Sequence, residues 1–121
     1  MSRFDFKRTL KALDKNTAVI SINDTDKEKK EMSKLTQDIC PALILAFKDD
    51  EYGFTKQHAK QIQDFVKANK NKVFVVHCFA GVSRSAAVAR WIEDTVDGKN
   101  SHRLARYTLY NKHVYNTLMQ S

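Results

Sequence analysis

A cysteine and an arginine that together can bind and attack a phosphate group lie close to each other in this sequence. Cys78 and Arg84 are separated by five residues, between a Val-rich segment that predicts a strand and an Ala-rich segment that predicts a helix. A loop that ends where a helix begins directs its backbone N–H groups and the positive end of the helix dipole toward one cavity, and these groups suit a phosphate dianion. The planar guanidinium of Arg84 can hold two phosphate oxygens at once.

The same positive field stabilises the thiolate of Cys78. A free cysteine thiol has a pKa of about 8.5, and helix N-termini and neighbouring cations lower it to about 3.5–7.5. We therefore expect Cys78 to be ionised and nucleophilic at neutral pH. The alternative interpretation is an inert thiol that is buried at the end of a core strand.

The segment around these residues resembles the signature loop of the cysteine-dependent phosphatases, the protein tyrosine and dual-specificity phosphatase superfamily. That loop has the pattern His-Cys, five residues, Arg, then Ser or Thr, and residues 77–85 read His-Cys-Phe-Ala-Gly-Val-Ser-Arg-Ser. Outer segments such as Thr17–Ile22 and Leu43–Asp50 are similar to small bacterial and phage-type members. The resemblance covers residues 17–118 and implies a single dual-specificity-phosphatase-like catalytic domain, residues 1–121, that uses no metal and no cofactor.

The reaction that this resemblance implies is transfer of a phosphoryl group from a monoester to Cys78, followed by hydrolysis of the cysteinyl phosphate by water. Arg84 and the loop amides would stabilise the charge on the equatorial oxygens of the transferring group. The predicted phosphate-binding residues are Phe79, Ala80, Gly81, Val82, Ser83 and Arg84. Ser85 matches the family hydroxyl that hydrogen-bonds the cysteine sulfur and helps it leave in the second step. His77 matches the histidine that supports the loop through hydrogen bonds.

The leaving group needs a proton, and in the family an aspartate on a loop about thirty residues before the cysteine provides it. Asp49 and Asp50 both lie near this distance from Cys78. The resemblance favours Asp49, because the family aspartate commonly follows an apolar strand with one residue between, and Asp50 stays the alternative general acid. The alternative interpretation of the acidic run at residues 49–51 is a solvent-exposed turn without a catalytic role. Asp24 and Asp26 follow an earlier strand and are either further candidates or helix caps.

The second cysteine and the remaining histidines lie outside the motif. Cys40 lies just before a predicted strand. If it lies within disulfide reach of Cys78, it would protect that sulfur from over-oxidation. The alternative interpretation is that Cys40 is only a small buried side chain. His58, His102 and His113 have no spacing typical of a metal site. We expect surface or packing roles for these histidines, and no metal site.

Length and charge limit the class of protein and its partners. A chain of 121 residues, of which 42% are hydrophobic and 29% charged, suits one soluble globular domain. The net charge of +7 favours anionic partners, but the basic residues are spread along the chain, so a phosphorylated protein is favoured over nucleic acid. No apolar stretch approaches the ~18 residues that a membrane span needs, and two cysteines make no disulfide framework. A cytoplasmic monomer is therefore expected.

Strands and helices alternate in the predicted secondary structure. The predicted strands are Thr17–Ile22, Ala42–Phe47 and Lys72–His77, the last being a continuous apolar run typical of a strand buried on both faces, and Phe4–Phe6 is expected to be a short edge strand. This order predicts an α/β fold, with a mostly parallel central sheet of about four to five strands flanked by helices. The ligand is expected at the C-terminal ends of the strands.

Helices are predicted between these strands and at the end of the chain. The predicted helices are Lys27–Leu35, a segment from Thr55 to about Asn69, Ser85–Val96 with Gly98 as its cap, and a last helix that begins at Ser101 and carries the apolar stripe Leu104, Tyr107, Val114 and Leu118.

Together these features predict a protein phosphatase that hydrolyses phosphotyrosine, and they leave open whether phosphoserine and phosphothreonine are substrates as well. Phe79 departs from the charged or polar residue that many relatives carry after the cysteine, which also leaves substrate preference open. One alternative keeps the loop and changes the substrate to an RNA 5′-phosphate, a nucleotide or an inositol phosphate. Another is a non-catalytic phosphate-binding module that lacks a working acid.

Overall fold

The computed structural model of the chain describes residues 1–97 and 110–120, which form three strands and five α-helices. The helices are α1 (Arg3–Thr9), α2 (Asp26–Thr36), α3 (Lys56–Ala68), α4 (Arg84–Ile92) and α5 (Lys112–Gln120), and the strands are β1 (Thr17–Asn23), β2 (Ala42–Ala46) and β3 (Val73–His77). A short 3-10 helix, Leu10–Ala12, follows α1, and a π-helical turn, Glu93–Asp97, follows α4.

The three strands form one parallel sheet in the order β2-β1-β3. Val19 at the centre of β1 pairs with Ala42 on one side and with Val75 on the other. The predicted α/β class and the parallel sheet are thus confirmed, but the sheet has three strands in the described part of the chain where about four to five were expected.

One missing strand is explained by the N-terminal residues, for which the prediction was wrong. Phe4–Phe6, expected to be an edge strand, lies within helix α1. The Ser2 hydroxyl accepts a hydrogen bond from the Asp5 amide at 3.0 Å and so caps the helix. The helical spacing turns Phe6 into the core, where it is fully buried.

β1, and not β3, is the strand that is buried on both faces. Every residue of β1 is buried, because it has a strand on each side and helices above and below. β3 lies at the edge of the sheet, and the side chain of Val73 is 68% exposed. The apolar run in β3 therefore reflects its Val-rich composition, and burial is complete only near its C-terminal end, at Val76 and His77.

Helices cover both faces of the sheet. On one face α3, α4 and α5 pack over Ile20 and Ile22 of β1; on the other, α1 and α2 pack over Val19. Capping boxes begin α2 at Thr25 and α3 at Thr55, where each threonine hydroxyl accepts an amide hydrogen bond from the residue three positions later. The sheet is thus held between two apolar layers.

Part of the predicted last helix lies outside the described residues. Its predicted start, Ser101, and the residues His102, Leu104 and Tyr107 lie outside the described residues. Gly98, the predicted cap of the preceding helix, lies outside them as well. Val114 and Leu118 are buried on α5, as their spacing predicts. Among the helices of residues 1–97 and 110–120, none combines the length and the apolar character that a membrane span needs.

Candidate active site

The candidate site lies at the C-terminal ends of the three strands, where the sequence predicts it. β1 ends at Asn23 and is followed by Asp24; β2 leads to Phe47 and the acidic loop; β3 leads to Cys78 and the loop that joins α4. Parallel strands bring these three segments to one edge of the sheet.

The N-terminal residues hold the signature loop, residues 78–83, from behind. The Cys78 amide donates to the Met1 carbonyl at 3.1 Å, and the Arg3 amide donates to the Phe79 carbonyl at 3.1 Å. Gly81 has a φ of +79°, and a Cβ atom there would lie 2.4 Å from the Ser2 nitrogen. Only glycine fits this position without moving backbone, so the loop needs a glycine there both for its own conformation and for its contact with the N-terminus.

Cys78 is buried and hydrogen-bonded through its sulfur. Its side chain is 2% exposed; Sγ lies 3.2 Å from the Ser85 hydroxyl and accepts from the Gly81 amide at 3.2 Å. Burial by itself raises the pKa of Cys78, but the hydrogen bonds from Ser85 and Gly81, together with the Arg84 charge, outweigh burial and lower the pKa below its ordinary value. The sulfur is therefore poised to ionise.

Arg84 is held along one side of its guanidinium, and its Nε on the other side has no acceptor among the described residues. Nη1 donates to Asp24 Oδ1 at 2.7 Å and to the Phe47 carbonyl at 2.7 Å, with the Asn23 carbonyl at 3.5 Å. Nε is buried and has no hydrogen-bond partner in the described part of the chain. A buried N–H of a charged group without an acceptor is costly, and an anion beside Nε would remove that cost.

The backbone of the loop offers further donors. The Gly81 amide bonds to Cys78, but those of Ala80, Val82 and Ser83 donate to no acceptor within residues 1–97 and 110–120. The side chain of Phe79 is 63% exposed, so it does not pack beneath the loop. These amides, the start of α4 and Arg84 form a set of donors suited to a phosphate or similar anion.

Asp49 lies against the signature loop. Its Oδ1 accepts a hydrogen bond from the Ser83 hydroxyl at 2.8 Å and another from the Asn111 side-chain amide at 2.8 Å. Asn111 also donates from its backbone to the Ser83 carbonyl, and its side-chain oxygen accepts from the Val114 amide, which caps α5. Asn111 therefore joins the acidic loop, the signature loop and α5.

Asp50 points away from this arrangement and stabilises its own turn. Its Oδ1 accepts hydrogen bonds from the backbone amides of Tyr52 at 2.8 Å and Gly53 at 2.6 Å. These two bonds hold the pKa of the Asp50 carboxyl below its ordinary value, which favours the ionised form. The geometry thus brings Asp49, and not Asp50, to the loop that carries Cys78.

Asp24 and Asp26 have different surroundings. The Asp24 carboxylate forms an ion pair with Arg84, whereas Asp26 is an exposed residue in the first turn of α2. Neither caps the helix through its side chain, because Thr25 occupies the cap position.

His77 is buried beside the loop, and its Nδ1 lies 3.4 Å from the Cys78 carbonyl oxygen. Its Nε2 lies 2.7 Å from the Ser21 hydroxyl, and its ring stacks on Phe6 with 4.2 Å between ring centroids. The Asn23 side chain donates to Ser21 and accepts from Arg3, so the network reaches from β3 to α1. Burial is the main cause that lowers the pKa of His77 to about 4.

This pKa predicts a loss of stability in acid. The unfolded chain protonates His77 near its ordinary pKa of 6.5 and the folded chain only near 4, so unfolding takes up a proton between these values. We expect the His77 contribution to lower the free energy of unfolding by about 3 kcal/mol as the pH falls from 7 to 4. Urea unfolding of the parent chain and of His77→Asn across this range measures it. Equal pH dependence in both chains would contradict the assignment.

Cys40 lies far from Cys78. The pairing of Val19 with Ala42 and Val75 puts the two cysteines about five residues apart along the strand direction, roughly 16 Å at ~3.3 Å per residue. A disulfide needs Cα atoms about 4.4–6.8 Å apart, so a disulfide that protects Cys78 is excluded. Cys40 instead packs at the edge of the core around Met32.

The described histidines outside the loop have structural contacts. His58 bonds to the Thr55 amide in the capping box of α3, and His113 Nε2 lies 2.9 Å from the Phe54 carbonyl. Within the described ranges, no three His, Cys, Asp or Glu side chains are grouped as a metal site requires.

Sequence reasoning missed two parts of this site. Asn111 was not singled out, although an asparagine just before a helical stretch is a helix-start signal. The Asp24–Arg84 contact spans sixty residues of sequence, and no local pattern indicates it.

Comparison with known proteins gives a match to structure but not to sequence families. No family model and no curated protein matches the chain. A crystal structure of a human tyrosine phosphatase-like serine/threonine/tyrosine-interacting protein is similar, with a TM-score of 0.58 and 20% sequence identity over 98% of this chain and 83% of the other chain. At this identity the likeness shows the fold, which is that of a tyrosine phosphatase-like protein.

Proposed function

We propose that this chain is a cysteine-dependent phosphoric monoester hydrolase that acts on phosphotyrosine in proteins, and on phosphoserine and phosphothreonine as further substrates. The observation that carries the proposal is the buried Nε of Arg84, a charged donor without an acceptor among the described residues, on the loop that also holds the ionisable Cys78. A phosphate oxygen supplies the missing acceptor while the phosphorus atom lies within reach of the nucleophile.

In the first step, the Cys78 thiolate attacks phosphorus and the bond to the ester oxygen breaks. Arg84 and the loop amides hold the equatorial oxygens, where charge lies in the transition state. These donors are fixed by the fold, so they need little rearrangement as the charge develops. Asp24 and the Phe47 carbonyl hold Arg84, and the Met1 and Arg3 backbone contacts hold the loop.

Asp49 provides the proton that the departing oxygen needs. Both of its hydrogen bonds, from Ser83 and Asn111, are made to Oδ1, which leaves Oδ2 to carry the proton. Asp50 is the weaker candidate, because its carboxylate accepts hydrogen bonds from the amides of its own turn, Tyr52 and Gly53, and not from the loop that carries Cys78.

In the second step, water attacks the phosphorus of the cysteinyl phosphate and the sulfur leaves as a thiolate. Asp49, now ionised, accepts a proton from that water, and inorganic phosphate is released. The Ser85 hydroxyl donates a hydrogen bond to the departing sulfur, from the position where it lies 3.2 Å from Sγ. The site thereby returns to its starting state.

The proposed partners follow from the same chemistry. The basic net charge of +7 suits phosphorylated proteins, and we place the chain in the reducing cytoplasm, where a catalytic thiol stays reduced. The similar human protein is described as tyrosine phosphatase-like and serine/threonine/tyrosine-interacting, which is compatible with a protein as the partner.

A second candidate function is binding of phosphorylated residues without turnover. It is favoured by the same comparison, since the human protein is called phosphatase-like. Both candidates bind phosphate through Arg84 and the loop amides, and they differ only in whether the ester is cleaved.

Hydrolysis of p-nitrophenyl phosphate in the presence of EDTA, with the protein reduced, separates the two candidates. The hydrolase proposal expects steady release of p-nitrophenol that is competitively inhibited by inorganic phosphate. Cys40→Ser is the matched control and retains full activity. Phosphate binding by calorimetry without any turnover would replace the hydrolase proposal by the binding module.

The position of Asn111 predicts a selective loss of acid catalysis. Replacing Asn111 by serine removes the donor to Asp49 but keeps a residue that caps α5 well. On a phosphate ester with a poor leaving group we expect kcat to fall about tenfold, the value of one charge-assisted hydrogen bond, with little change on p-nitrophenyl phosphate. Asn116→Ser, on the exposed side of the same helix, is the control. An unchanged ratio of the two activities would show that Asn111 has no such role.

A further inference from the structure

We infer that Asp24 is a positioning residue that orients Arg84 for phosphate binding, an inference that rests on the proposed function. Its carboxylate lies 2.7 Å from Nη1 of Arg84, whose side chain is 5% exposed, while Asp24 itself is 45% exposed. The sequence offered Asp24 only as a candidate acid or helix cap; the structure puts Thr25 in the cap position and pairs the Asp24 carboxylate with Arg84.

The contacts of Arg84 show why orientation matters. All hydrogen bonds of the Arg84 side chain within the described residues use Nη1. Their acceptors lie at the ends of two strands: Asn23, the last residue of β1, Asp24 directly after it, and Phe47 directly after β2. Asp24 is the one charged acceptor among them. These three acceptors hold Nη1. The opposite edge of the planar guanidinium includes the unpartnered Nε and can bind an anion.

Asp24 is itself held in place by the start of α2. Its backbone amide donates to Glu28 Oε1 at 3.0 Å, and Thr25, the next residue, forms the capping box with Glu28. The carboxylate therefore stands on a fixed junction between β1 and α2. This distinguishes the pair from an ordinary surface ion pair between two mobile side chains, which contributes little.

The chemical consequence concerns a buried cation. A guanidinium that is almost fully buried needs a charged partner in the empty site, and removing that partner leaves the cation poorly compensated and free to adopt other rotamers. When a phosphate dianion binds, Arg84 lies between two anions and keeps its orientation. Loss of Asp24 should therefore weaken phosphate binding and transition-state stabilisation together, because both use the same edge of Arg84.

The test compares Asp24→Ala with Asp26→Ala. Asp26 is an exposed aspartate two residues away that contacts neither Arg84 nor the signature loop. We expect Asp24→Ala to lower kcat/KM for p-nitrophenyl phosphate and to weaken calorimetric binding of inorganic phosphate, each by about 10–100-fold, the value of a charge-assisted hydrogen bond. Asp26→Ala should leave both within twofold of the parent chain. Asp24→Asn keeps an acceptor oxygen and should lose less than Asp24→Ala.

Three results decide the inference. Parent-like turnover and phosphate binding in Asp24→Ala would overturn it, and Asp24→Ser, which is too short to reach Arg84, gives the same test where the alanine variant does not fold. If the parent chain binds phosphate without turnover, the hydrolase proposal fails, but weaker binding by Asp24→Ala still supports the role of Asp24. If the parent chain binds no phosphate, both are wrong.

Discussion

Replacing Cys78 by serine should abolish hydrolysis of phosphate esters, with kcat lower by on the order of 10⁴-fold or more. In the proposed mechanism the sulfur forms the bond to phosphorus, and the hydrogen bonds from Ser85 and Gly81 help to lower the pKa of the Cys78 thiol. A serine hydroxyl in the same position stays protonated and is a weak nucleophile. The measurement is turnover of p-nitrophenyl phosphate by the parent chain and by Cys78→Ser.

Two controls make this result specific. Cys40→Ser, at the other end of the strands, should retain full activity. Cys78→Ser should still bind inorganic phosphate, because Arg84 and the loop amides are unchanged. Activity of Cys78→Ser close to that of the parent chain would mean that water attacks the ester directly and that no cysteinyl phosphate forms.

The second large effect is expected from Asp49→Asn. On an alkyl phosphate, whose leaving group must be protonated, we expect kcat to fall about 10²–10⁴-fold. The asparagine oxygen still accepts hydrogen bonds from Ser83 and Asn111, so the loop geometry is kept while the transferable proton is lost. The effect should be much smaller on p-nitrophenyl phosphate, because p-nitrophenolate leaves without a proton.

Asp50→Asn is the matched control, since it changes the neighbouring carboxylate in the same way. Its oxygen continues to accept from the amides of Tyr52 and Gly53, and activity should remain within a few-fold of the parent chain on both substrates. If Asp50→Asn loses most of its activity on the alkyl phosphate while Asp49→Asn keeps full activity, Asp50 is the general acid and Asp49 is not. Full activity in both variants would mean that the acid lies elsewhere.

The central part of the fold could be predicted because its signals are local. β1, β2 and β3 are short apolar segments, and each is followed by residues that favour a loop or a helix start. The alternation of strands and helices is enough to predict a parallel sheet with the ligand at its C-terminal edge. The spacing of Cys78 and Arg84 then places them at the two ends of the loop between β3 and α4.

The N-terminal helix could not be predicted for the opposite reason. Phe4-Asp5-Phe6 alternates apolar and polar residues, which is typical of a strand. The helix is favoured instead by the Ser2 cap and by the stacking of Phe6 on His77, a contact between residues far apart in sequence. Tertiary packing of this kind overrides weak local propensity.

The choice between the acidic residues also depended on contacts that sequence spacing does not contain. Asp49 and Asp50 are adjacent, and either could reach a site from a loop of suitable length. Their surroundings differ: Asn111 and Ser83, from later parts of the chain, both donate to Asp49, while the amides of Tyr52 and Gly53 donate to Asp50. The acceptors that hold Arg84 likewise come from the ends of two strands, β1 and β2, which are far from Arg84 in sequence.

The most direct test of the proposed chemistry is detection of the phosphoryl group on Cys78. In the proposed mechanism the Ser85 hydroxyl assists the sulfur as it leaves. Ser85→Ala removes this hydroxyl, so breakdown of the intermediate should become slow while its formation continues. Acid quenching of this variant during turnover of p-nitrophenyl phosphate, followed by peptide mass spectrometry, should find one added phosphoryl group on the peptide that contains Cys78. Turnover without any phosphoryl group on that peptide would contradict the cysteinyl-phosphate mechanism.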